Sequence, residues 1–404
     1  MRVNREALEL ARGAGDGEAE ARVLWNMQQH AYFSGRAREA VAYSKQALVL
    51  AERLGLRELC AYVLNDSSRA LMSVESVPNA LKALAEARVI WRETQNLPML
   101  VDNLSSTAET SVVGGDIETA ERFIDESQQL SQTIGNAWNL TYSSGTLMQI
   151  SALRGETRRG LELHTYIVQL ARQSGFVVSE QIADIQRAMI LGALGEPTRG
   201  IEILRAQPIN DAFLFLAPWR VGSMTFLELM RGDLPAARAA LAQIQVGASS
   251  EDLSTYGPMY LALCNAQFAL AEKRFEDALT AARPMVEQMR ALGVYYFLPE
   301  LVWSLAQAHL GLREWDAAEK FLREAEALAR HMRARFVLWE ILAAMSEMET
   351  RRGDLERANV LKNEAREIIE WLADAAPEEL RETFLAQEKI RAVGKGLPTD
   401  WESG

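Results

Sequence analysis

A small residue recurs along this chain at Ala40, Ala80, Ala120, Gly160, Gly200, Ala237, Ala278, Ala318 and Ala358, a period of about 40 residues. Five residues before each of these anchors stands a second column: Gly35, Glu75, Gly115, Gly155, Gly195, Gly232, Lys273, Arg313 and Gly353. With 25 glycines in 404 residues, chance places about half a glycine in nine such positions, and six are found. A period this long on a helical pattern marks a solenoid built by stacking one supersecondary unit. Length alone would suggest two or three domains, but a repeat array is one quasi-linear body whose core grows by stacking.

One unit is legible between Ala21 and Gly55. Val23, Leu24, Met27, Ala31 and Phe33 are spaced as an amphipathic helix, and Gly35 follows where a helix ends. A second helical pattern begins near Arg36, carries Ala40, Val41, Ala47, Leu48 and Leu50, and stops at Gly55. Gly135, Gly175 and Gly293 share the column of Gly55. The anchor is small because two antiparallel helices joined by a few residues must approach closely near their turn. Ala7, Ala47, Ala87, Ser127, Ala325 and Ala365 repeat that smallness two helical turns later, whereas Ile167, Gln207, Ile244 and Met285 break the column in the middle.

This unit resembles the tetratricopeptide repeat. The segments SGRAREAVAYSKQAL, RGDLERANVLKNEA and REWDAAEKFLREAEAL carry the likeness, the last with Trp315 ahead of its anchor. The repeat is longer than usual, and arrays of such long repeats are similar to the C-terminal regions of large bacterial signal-transducing ATPases. That group includes relatives of the maltose-regulon transcription activator and cyclase-linked regulators; the closing segment REIIEWLADAAPEELRETFLAQEKIRAV resembles theirs. The resemblance implies an all-α solenoid, a right-handed superhelix whose first helices line the concave face. Residues 1–20 read as the second helix of a partial repeat, so the chain reads as a piece of a longer protein. Nine helix pairs are expected over 21–376, one capping helix over 377–394, and a tail over 395–404.

Composition removes several function classes. The net charge is −12 and no basic block exceeds the pairs Arg158-Arg159 and Arg351-Arg352, which argues against nucleic acid as a partner. The start leads into no signal-peptide core, and the longest apolar run, near Ala212 to Trp219, is far short of a membrane span. Cys60 and Cys264 stand about 200 residues apart, giving neither a disulfide framework nor metal-ligand spacing. A cytoplasmic location fits this composition.

No phosphate-binding glycine loop and no nucleophile elbow is present. His30, His164, His309 and His331 fall in different repeat columns, and the carboxylates read as solvated helix faces, as in EMETRRGDLE. The expectation is therefore a protein that is not an enzyme and carries no cofactor or metal, with a role in binding. A free-standing adaptor and a groove enzyme are the alternatives.

The inward columns follow from the resemblance. Fourteen residues before the anchors come Asn26, Asp66, Ser106, Thr146, Gln186, Ser223, Cys264 and Ser304; eleven before come Gln29, Arg69, Glu109, Gln149, Met189, Phe226, Gln267 and Gln307. Eighteen before, Tyr62, Tyr142, Trp219 and Tyr260 add rings. Amides pair with main-chain groups and rings supply rigid area, which suits a protein or peptide partner, or a small inducer. Pro197, Pro208, Pro218 and Pro235 crowd one zone, which reads as ordinary local repacking or as a kink that would widen the groove. The candidate partner-binding wall is accordingly Gln186, Trp219, Phe226, Tyr260, Gln267, Trp303 and Gln307.

Overall fold

The structure, a computed structural model, describes residues 2–207, 216–247 and 256–395, and every regular element among them is a helix. A first helix, α1 (Arg2–Ala14), precedes nine helix pairs. The first five are α2 (Gly17–Phe33) with α3 (Ala37–Arg53), α4 (Arg57–Val74) with α5 (Val77–Glu93), α6 (Leu97–Val113) with α7 (Ile117–Ile134), α8 (Ala137–Arg154) with α9 (Thr157–Ser174), and α10 (Val177–Ala193) with α11 (Pro197–Ala206). Four more are α12 (Ala217–Met230) with α13 (Leu234–Gly247), α14 (Tyr256–Ala271) with α15 (Phe275–Leu292), α16 (Leu298–Gly311) with α17 (Trp315–Met332), and α18 (Arg335–Arg352) with α19 (Leu355–Ala375). Each helix packs on the next, and alternate helices touch as well, as in α6 with α8 and α14 with α16. The architecture is an α-solenoid.

The anchors sit where the packing argument requires them. Ala40, Ala80, Ala120, Ala237, Ala278 and Ala318 are completely buried. At Gly160 an added Cβ would meet Ile190 Cδ1 at 2.8 Å, and at Gly200 it would meet the backbone oxygen of Ala188 at 2.7 Å. At Gly200 the paired helices α10 and α11 therefore approach more closely than alanine permits, and at Gly160 the tight neighbour is α10 of the next unit.

Turn chemistry repeats with the same regularity. Gly35, Gly115, Gly155, Gly195, Gly232 and Gly353 all adopt positive φ after a first helix. Lys273 and Arg313 occupy the same left-handed position without being glycine, at φ 57° and 60°. Glu75, with φ −113°, is the exception, and its turn runs instead into Ser76, whose hydroxyl accepts from the Asn79 amide. Asp16, Asn96, Asp116, Asn136, Asp233 and Asp354 cap helix starts in the same way.

Two expectations are corrected here. The C-terminal cap is not one helix but two, α20 (Glu378–Leu385) and α21 (Glu388–Lys395), interrupted at Ala386 and Gln387. The break lets both short apolar faces, Leu380 and Phe384 on one and Ile390 and Val393 on the other, bury against the last coil. The proline zone also does not kink a helix: Pro197, Pro218 and Pro235 stand in the first turns of α11, α12 and α13, where no hydrogen bond is lost. Pro208, Phe213 and Phe215 lie outside the described residues. Pro284 stands in the interior of α15, which runs on unbroken through it.

The superhelix winds tightly enough to touch itself. The α8–α9 turn meets the end of α19: Thr157 Oγ1 donates to the Ala375 oxygen at 3.2 Å, and Arg158 donates to Asp374 and Ala376 at 3.2 and 2.7 Å. Arg335 donates to the Arg154 oxygen at 2.8 Å while its guanidinium lies 3.8 Å from the centre of the Trp371 ring. One unit earlier, the Tyr295 amide donates to Val113 at 2.8 Å and Arg333 pairs with Glu118 at 3.2 Å. One unit later, Gln387 donates to Ala193 at 3.1 Å. First-helix turns of one coil thus rest on second-helix ends of the next, forming a continuous seam.

Candidate functional site

The seam encloses part of the lumen. A cavity of about 620 Å³ lies between α8, α10, α12, α14, α16 and α18, with the α15–α16 connection and the cap completing its wall. All seven sequence-selected residues line it: Gln186, Trp219, Phe226, Tyr260, Gln267, Trp303 and Gln307. They converge because the column eleven residues before each anchor points inward through five successive units, as Gln149, Met189, Phe226, Gln267 and Gln307. The column fourteen before behaves differently. Ser106, Thr146, Ser223, Cys264 and Ser304 are buried between helices, so their smallness serves packing, and within that column only Gln186 lines the cavity.

Aromatic rings dominate the wall. Tyr260 is central, edge-on to Phe226 at 5.8 Å and to Phe297 at 4.8 Å, with Trp219 at 6.4 Å. Tyr296 stands against Phe297 at 4.2 Å. Phe336, Trp339 and, from the cap, Phe384 extend the apolar surface. Gln267 donates to Ser304 at 2.9 Å and to Gln307 at 3.4 Å, a short amide ladder along the wall.

Among the described residues, three charged side chains face the cavity: Glu300, Glu340 and Lys389. Lys389, from α21, pairs with Glu340 and lies 5.4 Å from the centre of the Trp339 ring. Glu300 Oε2 is shielded from solvent and hydrogen-bonds to nothing among the described residues. Burial pushes the Glu300 carboxyl up to about 7; its own backbone amide opposes the shift and the nearby Glu340 adds to it. Burial also raises Tyr260 and Tyr296, both of which feel the Glu300 charge.

Sequence columns contained part of what was missed. Glu300 and Glu340 occupy the eighteen-before column of the last two units, in line with Trp219 and Tyr260. The reading of carboxylates as solvated faces is corrected at Glu228, which is 1% exposed between Arg205 and Arg231, and at Glu349, which is buried beside Arg352 and Arg357. Tyr296 and Phe297 come from a connection, and Phe384 and Lys389 from the cap, so no repeat column reports them. Of the histidines, His164 pairs with Asp184 and His309 with Glu314, and the described residues hold no group of three potential metal ligands.

In the early units the same inward columns satisfy one another. Asp66 accepts from Trp25 Nε1 at 2.7 Å and from Gln29 at 2.6 Å, Asn65 donates to Asp102 at 2.8 Å, and Arg69 donates to the Tyr142 hydroxyl at 2.7 Å, which donates in turn to Glu109. Burial and the neighbouring Asp102 push the Asp66 carboxyl up to about 6. A raised carboxyl makes the folded chain bind more protons than the unfolded one between about pH 4 and pH 6, so stability falls as pH rises through that window. We predict that Asp66→Asn, which keeps an acceptor for Trp25 and Gln29, gains on the wild type in melting temperature from pH 4.5 to 6.5 and holds the gain above. A constant difference across pH would contradict the assignment.

No family model and no curated protein matches the chain. Among solved structures it is similar to one described as a circular tandem repeat protein with novel repeat topology and enhanced subunit contact surfaces. The identity is 15%, over 96% of this chain and 93% of that one, with a TM-score of 0.21. The architecture therefore stands on the chain's own helices and their contacts. No described helix is long and apolar enough to cross a membrane.

Proposed function

We propose that the chain is a non-enzymatic binding module that encloses a compact, largely apolar ligand in the lumen of its superhelix. The supporting observation is the cavity itself, where rings from four helices (α12, α14, α16 and α18), a connection and the cap face one volume. Ligand sites are typically apolar concavities of roughly 300–1,000 Å³ with a few placed polar groups. The seam and cap shorten the open groove that an extended peptide or a partner helix would occupy, which favours a small inducer or a very short peptide segment. The repeat resemblance extends this to a sensor arm of a larger signalling protein. In that role a ligand acts only through a difference in affinity between two states of the array. Touching both coils and the cap, it would favour the closed one.

A direct test uses the neutral dye N-phenyl-1-naphthylamine with the full chain. Saturable binding with enhanced emission is expected, with energy transfer from cavity tryptophans. Trp219→Ala is expected to weaken it by about 2 kcal/mol, near thirtyfold, while the helical circular dichroism stays unchanged. Dye binding that is absent, or indifferent to Trp219→Ala, would rule the cavity out as the ligand site.

A further inference from the structure

The charges in the cavity do not balance. Glu340 and Lys389 neutralise each other on the cap side, which leaves Glu300 as the uncompensated charge among the described residues that face the volume. A shielded carboxylate oxygen with no donor is costly unless something completes it. Glu300 lies in the first turn of α16, where the free peptide N–H groups favour a negative charge and offset part of the burial that raises its carboxyl, and a cation beside it would favour the ionised form further. Trp303 follows one helical turn later on the same helix, and Phe297 caps that helix start. Tyr260 and Tyr296 lie close enough for Glu300 to influence them. Gln186, which lines the same cavity, is nine-tenths buried and its Oε1 also lacks a donor among the described residues.

We propose that the ligand is an organic monocation, a protonated amine on an apolar frame, with its ammonium group beside Glu300 and its frame among the surrounding rings. This rests on the reading of the cavity as the ligand site. The ammonium N–H groups complete Glu300, and a second donor on the ligand would complete Gln186. The ring faces of Trp303 and Tyr260 attract the cation through their quadrupoles, an effect that grows when water is excluded. An anionic ligand would set a second negative charge against Glu300, and a neutral hydrocarbon would leave both acceptors unmet. The chain's net charge of −12 draws cations toward the surface in the same sense.

The test is competition against N-phenyl-1-naphthylamine at pH 8 by two probes of the same shape, 2-naphthylmethylamine and 2-naphthylmethanol. In the wild type the ammonium is expected to displace the dye at a concentration on the order of tenfold lower than the alcohol. In Glu300→Gln, which keeps the side-chain shape, the two probes should displace it equally. The comparison in the wild type needs no variant, so a poorly folding Glu300→Gln leaves it intact. An alcohol that matches or outcompetes the ammonium in the wild type overturns the proposal while leaving the cavity reading standing; so does a preference that persists in Glu300→Gln. Failure of dye and probes alike to bind the wild type overturns both.

Discussion

Gly155→Ala should destabilise the protein by about 2–5 kcal/mol, against about 1–2 kcal/mol for Gly135→Ala, and should expand it in small-angle scattering. Both glycines adopt the left-handed conformation, at φ 78° and 69°, and both follow a helix end, so the backbone strain introduced by a Cβ is common to the pair. Their surroundings differ. At Gly135 the new methyl meets nothing within 4 Å, whereas at Gly155 it lands 2.2 Å from Leu372 Cδ2. Leu372 is completely buried, so it cannot swing aside into solvent. Displacing it moves the end of α19 away from the α8–α9 turn and strips the carbonyls of Asp374, Ala375 and Ala376 of their donors Arg158 and Thr157. Equal losses in the two variants, by urea titration, would mean that the coils do not rest on each other there.

Phe384→Ala should cost about 3–5 kcal/mol, at the scale of a fully buried aromatic side chain. Phe384 is 1% exposed, meets Phe336 edge-on at 6.3 Å and forms part of the cavity wall, so its removal joins two spaces and loosens α20 and α21 together. Amide hydrogen exchange should accelerate through residues 378–395 before the rest of the array is affected. Retained protection in the cap, with a loss below about 1 kcal/mol, would show that the cap is held by other contacts.

The repeat pattern made helix pairs legible because each unit solves the same packing problem with the same small residues. It located the cavity wall for the same reason: Gln267 and Gln307 share one column, and Trp219 and Tyr260 share another, so equal spacing places them on one face. The limits are equally physical. Lys273 and Arg313 take a conformation that glycine usually signals, because one left-handed residue is affordable in a well-packed turn. Gly135 and Gly155 look alike in a local pattern, yet only one has the next coil against it. That difference depends on the winding of the whole superhelix, which no single unit encodes. Tyr296, Phe297, Phe384 and Lys389 reach the cavity through the same winding, from segments outside the periodic columns.

In an open solenoid each unit knows only its neighbours, so stability is lost piecemeal along the array. Here hydrogen bonds join residues 181 and 218 positions apart, and the last of them forms only after the ninth pair exists. Closure therefore carries a large chain-entropy cost that is met late, which slows folding and merges its steps. The α4–α5 turn also touches the end of α15 at Gly293, so units between α4 and the cap should be lost as a block. The pair α2 and α3 stands outside the seam contacts and keeps the independence of an ordinary repeat, free to fray without opening the lumen.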